Sequence, residues 1–205
     1  MPPPYELLRE SALEVVELRD VPFRYFLARH CLAPNIVQTL LEWFETDAPW
    51  QLVETDFYQQ YEFRMLNVAL PENVSPLTSP DNFSTLRREM AEIFDVAFDE
   101  RILLVAHKLV PGQRIAIHND YLVGKETHRL TIQINRGLRD EDGGLFMLFN
   151  SFEPSDIHRI IRPVCGSVIG FEIGENSHHA VSLLHGGERY TLVYSFYAKR
   201  NSRIV

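Results

Sequence analysis

His118 and Asp120 stand two residues apart in the stretch Ile117-His118-Asn119-Asp120, near the middle of a 205-residue chain. On an extended strand that spacing sends both side chains to one face. There an imidazole and a carboxylate can take adjacent corners of a metal's coordination sphere. A third ligand has to come from a distant stretch, and His178 and His179 are the candidates. Consecutive strand residues face opposite ways, so at most one of the pair points into such a site. Two imidazoles and one carboxylate with open positions beside them form the ligand set of non-haem iron(II). Arg189, ten residues beyond His179, is a planar fork that can grip a carboxylate through two parallel hydrogen bonds. Thr191 lies two residues further along, on the same face if the segment is a strand, and adds a hydroxyl donor.

The rest of the chain has to position these groups. Hydrophobic residues make up 45% and aromatics 11%, enough for a substantial core. The length fits a single domain over 1–205, with 1–100 as helical support and flanking strands and 101–199 as a β core. A formal net charge of -8, with no run of Lys or Arg longer than two, repels phosphate backbones and speaks against a nucleic-acid partner. Cys31 and Cys165 form no CxxC, which suits a reducing compartment. No apolar run is long enough to span a membrane. The opening Met1-Pro2-Pro3-Pro4 lacks the basic and apolar regions of a signal peptide. A cytoplasmic protein without membrane or nucleic-acid partners is the expectation, with oligomeric state left open.

Residues 5–19 carry leucines and valines among charges and predict a helix. The run after Pro22 predicts a strand through Phe23, Tyr25 and Leu27. Residues 34–46 predict a helix with Pro34 in its first turn. Residues 50–68, aromatic and β-branched, predict one or two strands. The proline-rich 71–82 reads as a surface connection or lid. Residues 83–98 predict a helix capped by Asp81 or Asn82. From residue 101, short apolar segments separated by turns arrive every eight to twelve residues, a Greek-key rhythm. The expected fold class is mainly β with N-terminal helices, the helices covering one face of the β core.

The matching segments PGQRIAIHND (111–120), RLTIQIN (129–135), DGGLFMLF (142–149), PVCGSVIGFE (163–172) and HAVSLLHGGERYTLVYSFY (179–197) occur in order over nearly half the chain. In these the sequence resembles the iron(II)/2-oxoglutarate-dependent dioxygenase superfamily, in its prolyl-hydroxylase-like branch. The resemblance implies a double-stranded β-helix, or jelly-roll, core of cupin-like type buttressed by α-helices. It implies Fe(II) held by His118, Asp120 and His179, these three being both the metal and the catalytic residues. Arg189 and Thr191 are then the residues that bind 2-oxoglutarate, and O2 is the second co-substrate. His179, followed by Val181 and with Arg189 ten residues on, is the histidine it favours. Leu109 stands where many members carry a tyrosine before the Pro-Gly turn, so a secondary hydrogen bond to the co-substrate is missing. Because Asp120 is present, hydroxylation is the expected default, in contrast to related halogenases that lack this carboxylate, with desaturation, ring closure and demethylation left open.

The function expected is hydroxylation of an unactivated C–H bond in an amino acid, peptidyl residue or small natural product, with 2-oxoglutarate decarboxylated to succinate. Tyr121 and Arg129 are candidate substrate contacts. Residues 50–68, 71–82 and 121–128 are the segments expected to shape the pocket. His107 and His128 read as structural histidines, and His30, His158 and His185 as turn or surface residues. The competing reading is a metal-holding binding or sensor module without turnover. Arg189 discriminates, because a purely structural metal needs no carboxylate clamp.

Overall fold

The computed structural model describes residues 13–29 and 32–199. The opening prolines, His30 and Cys31 lie outside them. The chain runs β1 (Glu14–Arg19), β2 (Tyr25–Arg29), α1 (Pro34–Thr46), β3 (Gln51–Glu54), β4 (Gln59–Arg64), α2 (Pro80–Phe94) and β5 (Phe98–Leu109). It continues with β6 (Ile115–His118), β7 (His128–Ile134), β8 (Phe146–Phe149), β9 (Ile157–Ile161), β10 (Ser167–Glu172), β11 (His179–Val181) and β12 (Arg189–Ala198). Two antiparallel sheets result, an eight-stranded one ordered β1-β2-β10-β7-β12-β5-β4-β3 and a four-stranded one ordered β6-β11-β8-β9. This is the jelly-roll architecture that the family resemblance implies, and it agrees with the Greek-key rhythm of the strands.

Period-two alternation divides the large sheet into two chemically different faces. On β12, Tyr190, Leu192, Tyr194 and Phe196 join Leu104 and Ala106 of β5 and Leu130, Ile132 and Ile134 of β7 in one apolar cluster. The same cluster takes in Ile36, Leu40, Leu41 and Phe44 of α1 and Leu86, Met90 and Phe94 of α2. The helices therefore cover the outer face of the large sheet. The opposite face meets the small sheet through a second cluster, in which Leu109, Ile169 and Phe171 pack with Phe146, Leu148 and Val181. Gly170 is required by the first cluster, since an added Cβ would stand 2.1 Å from the Phe26 ring.

Several expectations are corrected. The described part of 5–19 is not helical: Glu14–Arg19 is an edge strand paired with β2. Its β-branched Val15-Val16 pair suits a strand, and Arg159 of β9 holds Glu17 by a two-pronged ion pair. Helix α2 begins at Pro80, inside the expected loop, and its cap is Ser79, whose side chain accepts from the Asn82 backbone N–H at 3.2 Å. Asn82 instead donates its own amide to the Leu77 carbonyl at 2.7 Å. The helix stops at Asp95, which is left-handed, so that Phe98 already opens β5. Val74 and Leu77 are buried, which anchors the proline-rich segment to the core. Strand β9 is an outer strand with little burial and so little sequence signal. Among the described residues no helix is long and apolar enough to cross a membrane.

His128 is buried between the rings of Phe94 and Phe98, at 4.7 and 4.9 Å. Burial first, and the charge of Arg24 second, lower its pKa to about 4. The unfolded chain takes up a proton near pH 6.5 that the folded chain refuses until about pH 4. Stability from this group is thus present above pH 6.5 and is lost as the pH falls toward 4. Urea denaturation at pH 7.5 and 5.0 should show wild type losing about 1–2 kcal/mol more than His128→Leu over that interval.

Candidate metal centre and cavity

Strands β6 and β11 of the small sheet pair antiparallel with His118 opposite His179. Their ring centroids lie 4.2 Å apart. Each ring is fixed by its other nitrogen: His118 Nδ1 meets the Ala116 carbonyl at 2.9 Å and His179 Nδ1 the Ser177 carbonyl at 2.7 Å. A carbonyl only accepts, so Nδ1 carries a proton, and Nε2 is the nitrogen turned toward the site. Both Nε2 atoms converge on Asp120, at 3.3 Å from Oδ1 for His118 and 3.2 Å from Oδ2 for His179. Ligand atoms of His118, Asp120 and His179 all lie within 4.8 Å of one another. Phe57 stacks on His118, and Phe146 and Phe171 flank His179.

Asp120 reaches this point by a route the spacing did not predict. Strand β6 ends at His118, and Asp120 sits beyond it with φ 58°. A left-handed turn, tolerated by Asp, returns the carboxylate to the imidazoles. Asn119 holds the turn: its side chain donates to the Glu175 carbonyl and accepts from the Tyr121 N–H, while Ser177 Oγ donates to its carbonyl. Arg129 of β7 donates to Asp120 Oδ2 at 2.5 Å and also pairs with Glu126. Burial works to raise the Asp120 pKa, while the charge of Arg129 works foremost against it, and the carboxyl is held well below its usual range. Burial, then the neighbouring His118, lowers the His179 pKa and keeps that ring neutral, the form that binds a metal. Two imidazoles that turn Nε2 toward one ionised carboxylate fit a two-His-one-carboxylate metal site.

The triad opens on a cavity of about 640 Å3 between the sheets. Its large-sheet wall is the polar half of the alternation: Gln60, Glu62 and Arg64 of β4, Leu103, Val105 and His107 of β5, Arg189, Thr191 and Val193 of β12, Arg129 and Thr131 of β7. Arg189 is 4% exposed. Its Nη1 donates to Thr191 Oγ1 at 2.8 Å, and Thr191 donates to Gln133 Oε1 at 3.2 Å. Among the described residues no carboxylate pairs with Arg189, and its Nε and the Gln133 Nε2 lack acceptors. Burial lowers its pKa to about 10, which leaves it charged at neutral pH. Gly144 makes room for its stem, because a Cβ there would stand 3.0 Å from Arg189 Cδ.

The other sequence candidates are placed as follows. His178 turns away, partly buried with its ring edge-on to Phe152. Tyr121 is 39% exposed and lies outside the cavity lining. Arg129 lines the cavity, but its guanidinium is engaged by Asp120 and Glu126. Leu109, buried beside Arg189, offers no hydroxyl. His107 lines the cavity and is hydrogen-bonded to Gln60, whereas His158 and His185 are exposed. Tyr58, Gln60 and Glu62 were not singled out in the sequence. Their signal was the every-second-residue polarity of Gln60, Glu62 and Arg64.

No family model and no curated protein matches the sequence. Solved structures do. A prolyl 4-hydroxylase of Pseudomonas putida aligns with a TM-score of 0.70 and 17% identity, covering 86% of this chain and 93% of the other. A Trichoplax adhaerens prolyl hydroxylase, in complex with a peptide fragment of the oxygen degradation domain of hypoxia inducible factor, gives 0.68 and 11%, covering 84% and 83%. A viral collagen prolyl hydroxylase from Paramecium Bursaria Chlorella virus-1, in a 2OG complex, gives 0.60 and 14%, covering 85% and 96%. At these identities the likeness is one of architecture. The chain has the fold of the prolyl 4-hydroxylases among the 2OG-Fe(II) oxygenases, and within that fold it brings together a His-Asp-His group of the kind that holds iron(II).

Proposed function

We propose that the protein is an iron(II)- and 2-oxoglutarate-dependent dioxygenase that hydroxylates an unactivated C–H bond of an amino acid, a peptidyl residue or a small natural product. The observation that carries this reading is Arg189, a buried guanidinium without a carboxylate partner, in the same cavity as His118, Asp120 and His179. A buried charge left unpaired is costly, so the position calls for an incoming anion. A metal-holding module without turnover would gain nothing from it.

In this reading His118, Asp120 and His179 hold Fe(II), and the bound metal with O2 supplies the oxidising chemistry as 2-oxoglutarate is converted to succinate and carbon dioxide. The remaining work falls to the chain. Arg189 grips the distal carboxylate, and its contact with Thr191 fixes the fork. Gln133 Nε2, without an acceptor, is a further donor next to Thr191. The Ala116 and Ser177 carbonyls hold both imidazoles in the ligating tautomer. Arg129 keeps Asp120 ionised and oriented. Phe57, Phe146 and Phe171 line the cavity beside the imidazoles and keep water from that side.

Purified protein supplied with Fe(II) and 2-oxoglutarate should form succinate, and Arg189→Leu should raise the KM for 2-oxoglutarate about 10- to 100-fold, the worth of a charge-assisted hydrogen bond. If neither wild type nor variant binds or consumes 2-oxoglutarate, the assignment is wrong. Titration with Mn(II), followed by thermal shift, should raise Tm in wild type and leave His118→Ala, Asp120→Ala and His179→Ala unmoved. Arg129→Gln should retain Mn(II) binding with an affinity about 10- to 100-fold weaker, as for other groups that orient a ligating carboxylate.

A further inference from the structure

We infer that the substrate carries a protonated nitrogen, an ammonium or guanidinium group, and that Glu62 on the β4 wall of the cavity receives it. This assignment deepens the proposed oxygenase function and rests on it for the word substrate. It stands otherwise on the charges of the cavity.

Four of the groups that line the cavity are accounted for. Asp120 is matched by Arg129, which Glu126 also engages. Arg189 awaits a carboxylate. His107 faces Glu62 across the β4–β5 register, with Nε2 3.7 Å from Glu62 Oε2. Burial foremost, then the charges of Arg129 and Arg189, lower the His107 pKa to about 3, so this contact is not an ion pair at neutral pH. Glu62 therefore has no cation within ion-pair distance among the described residues.

Its carboxylate is nevertheless held in place. Gln60, 1% exposed, donates Nε2 to Glu62 Oε2 at 3.0 Å and has the same atom 3.3 Å from His107 Nδ1. A carboxylate needs a donor, which fixes the amide with its NH2 toward Glu62. Gln60 Oε1 is then left in the cavity wall without a donor of its own. The Glu62 side chain is 27% exposed, and its Oε1 is free to accept. A fixed, partly desolvated carboxylate beside a second free acceptor attracts a cationic N–H donor and repels anions.

Register places this carboxylate on the same wall as the groups assigned to the co-substrate. Glu62, His107, Thr191 and Gln133 form one cross-strand row, so Glu62 is aligned with the groups assigned to the co-substrate. Arg64, two residues along the same face, falls in the row of Val105 and Val193 and is exposed. It makes no ion pair with Glu62.

The test compares probes that differ in one charge: lysine against Nε-acetyl-lysine, arginine against citrulline, and alanine amide against N-acetyl-alanine amide. Binding is measured by calorimetry, both to metal-free protein and to protein loaded with Mn(II) and 2-oxoglutarate. At least one cationic member should bind tenfold or more tightly than its neutral partner. Glu62→Gln should abolish that preference, Glu62→Asp should retain part of it, and neither variant should lose affinity for 2-oxoglutarate. The three pairs tell a side-chain amine, a guanidinium and a main-chain amine apart. Absence of any charge preference in wild type, or its survival in Glu62→Gln, overturns the proposal. Failure to bind 2-oxoglutarate would remove the oxygenase reading alone, since the metal-free comparison still decides the role of Glu62.

Discussion

The constraint on which this structure depends is the two-residue repeat of β5, β7 and β12. Every second side chain on these central strands goes to the helices, and every other one goes to the cavity. The same β12 that gives Tyr190, Leu192 and Tyr194 to the core gives Arg189, Thr191 and Val193 to the cavity wall. A shift of one residue in pairing would bury the arginine against α1 and turn tyrosines and leucines into the cavity. The apolar face therefore enforces the polar one. Burial of the apolar cluster shared with α1 and α2 favours the register that presents Arg189 and His107 to the cavity.

The metal group follows a different logic. Neither His118 nor His179 lies on the large sheet; they are cross-strand neighbours on the small one, and their rings are fixed by backbone carbonyls and by phenylalanines. Asp120 belongs to no strand. It is delivered by a left-handed turn that Asn119 and Ser177 hold from the side, and its charge is secured from the large sheet by Arg129.

That His118, Asp120 and His179 would come together, with Arg189 in the same cavity, was legible because few other residue types perform such chemistry and their order along the chain is distinctive. How Asp120 reaches the imidazoles was not legible, since period-two spacing gives the right neighbours for the wrong geometric reason. The helices α1 and α2 were visible through their apolar stripes. Ser79 was overlooked as the cap because Asp81 and Asn82 compete for the role in sequence, and only the Pro80 first turn resolves it. Strands β1 and β9 are largely solvated and stabilised by an ion pair across the sequence, Glu17 with Arg159, a contact no local pattern reveals. Glu62 and Gln60 were hidden for the same reason: a polar side chain facing water and one facing a cavity look alike until the register is known.

The division of labour between the sheets has a consequence for selectivity. His118, Asp120 and His179 are mounted on or beside the small sheet, and Arg189 on the large one. The layer that separates them is the cluster of Leu109, Phe146, Leu148, Ile169, Phe171 and Val181. Under the proposed function, the thickness of that layer sets how far the metal group stands from Arg189, and so which dicarboxylic acid can reach both, a dimension written in methyl and phenyl groups that never meet the acid themselves.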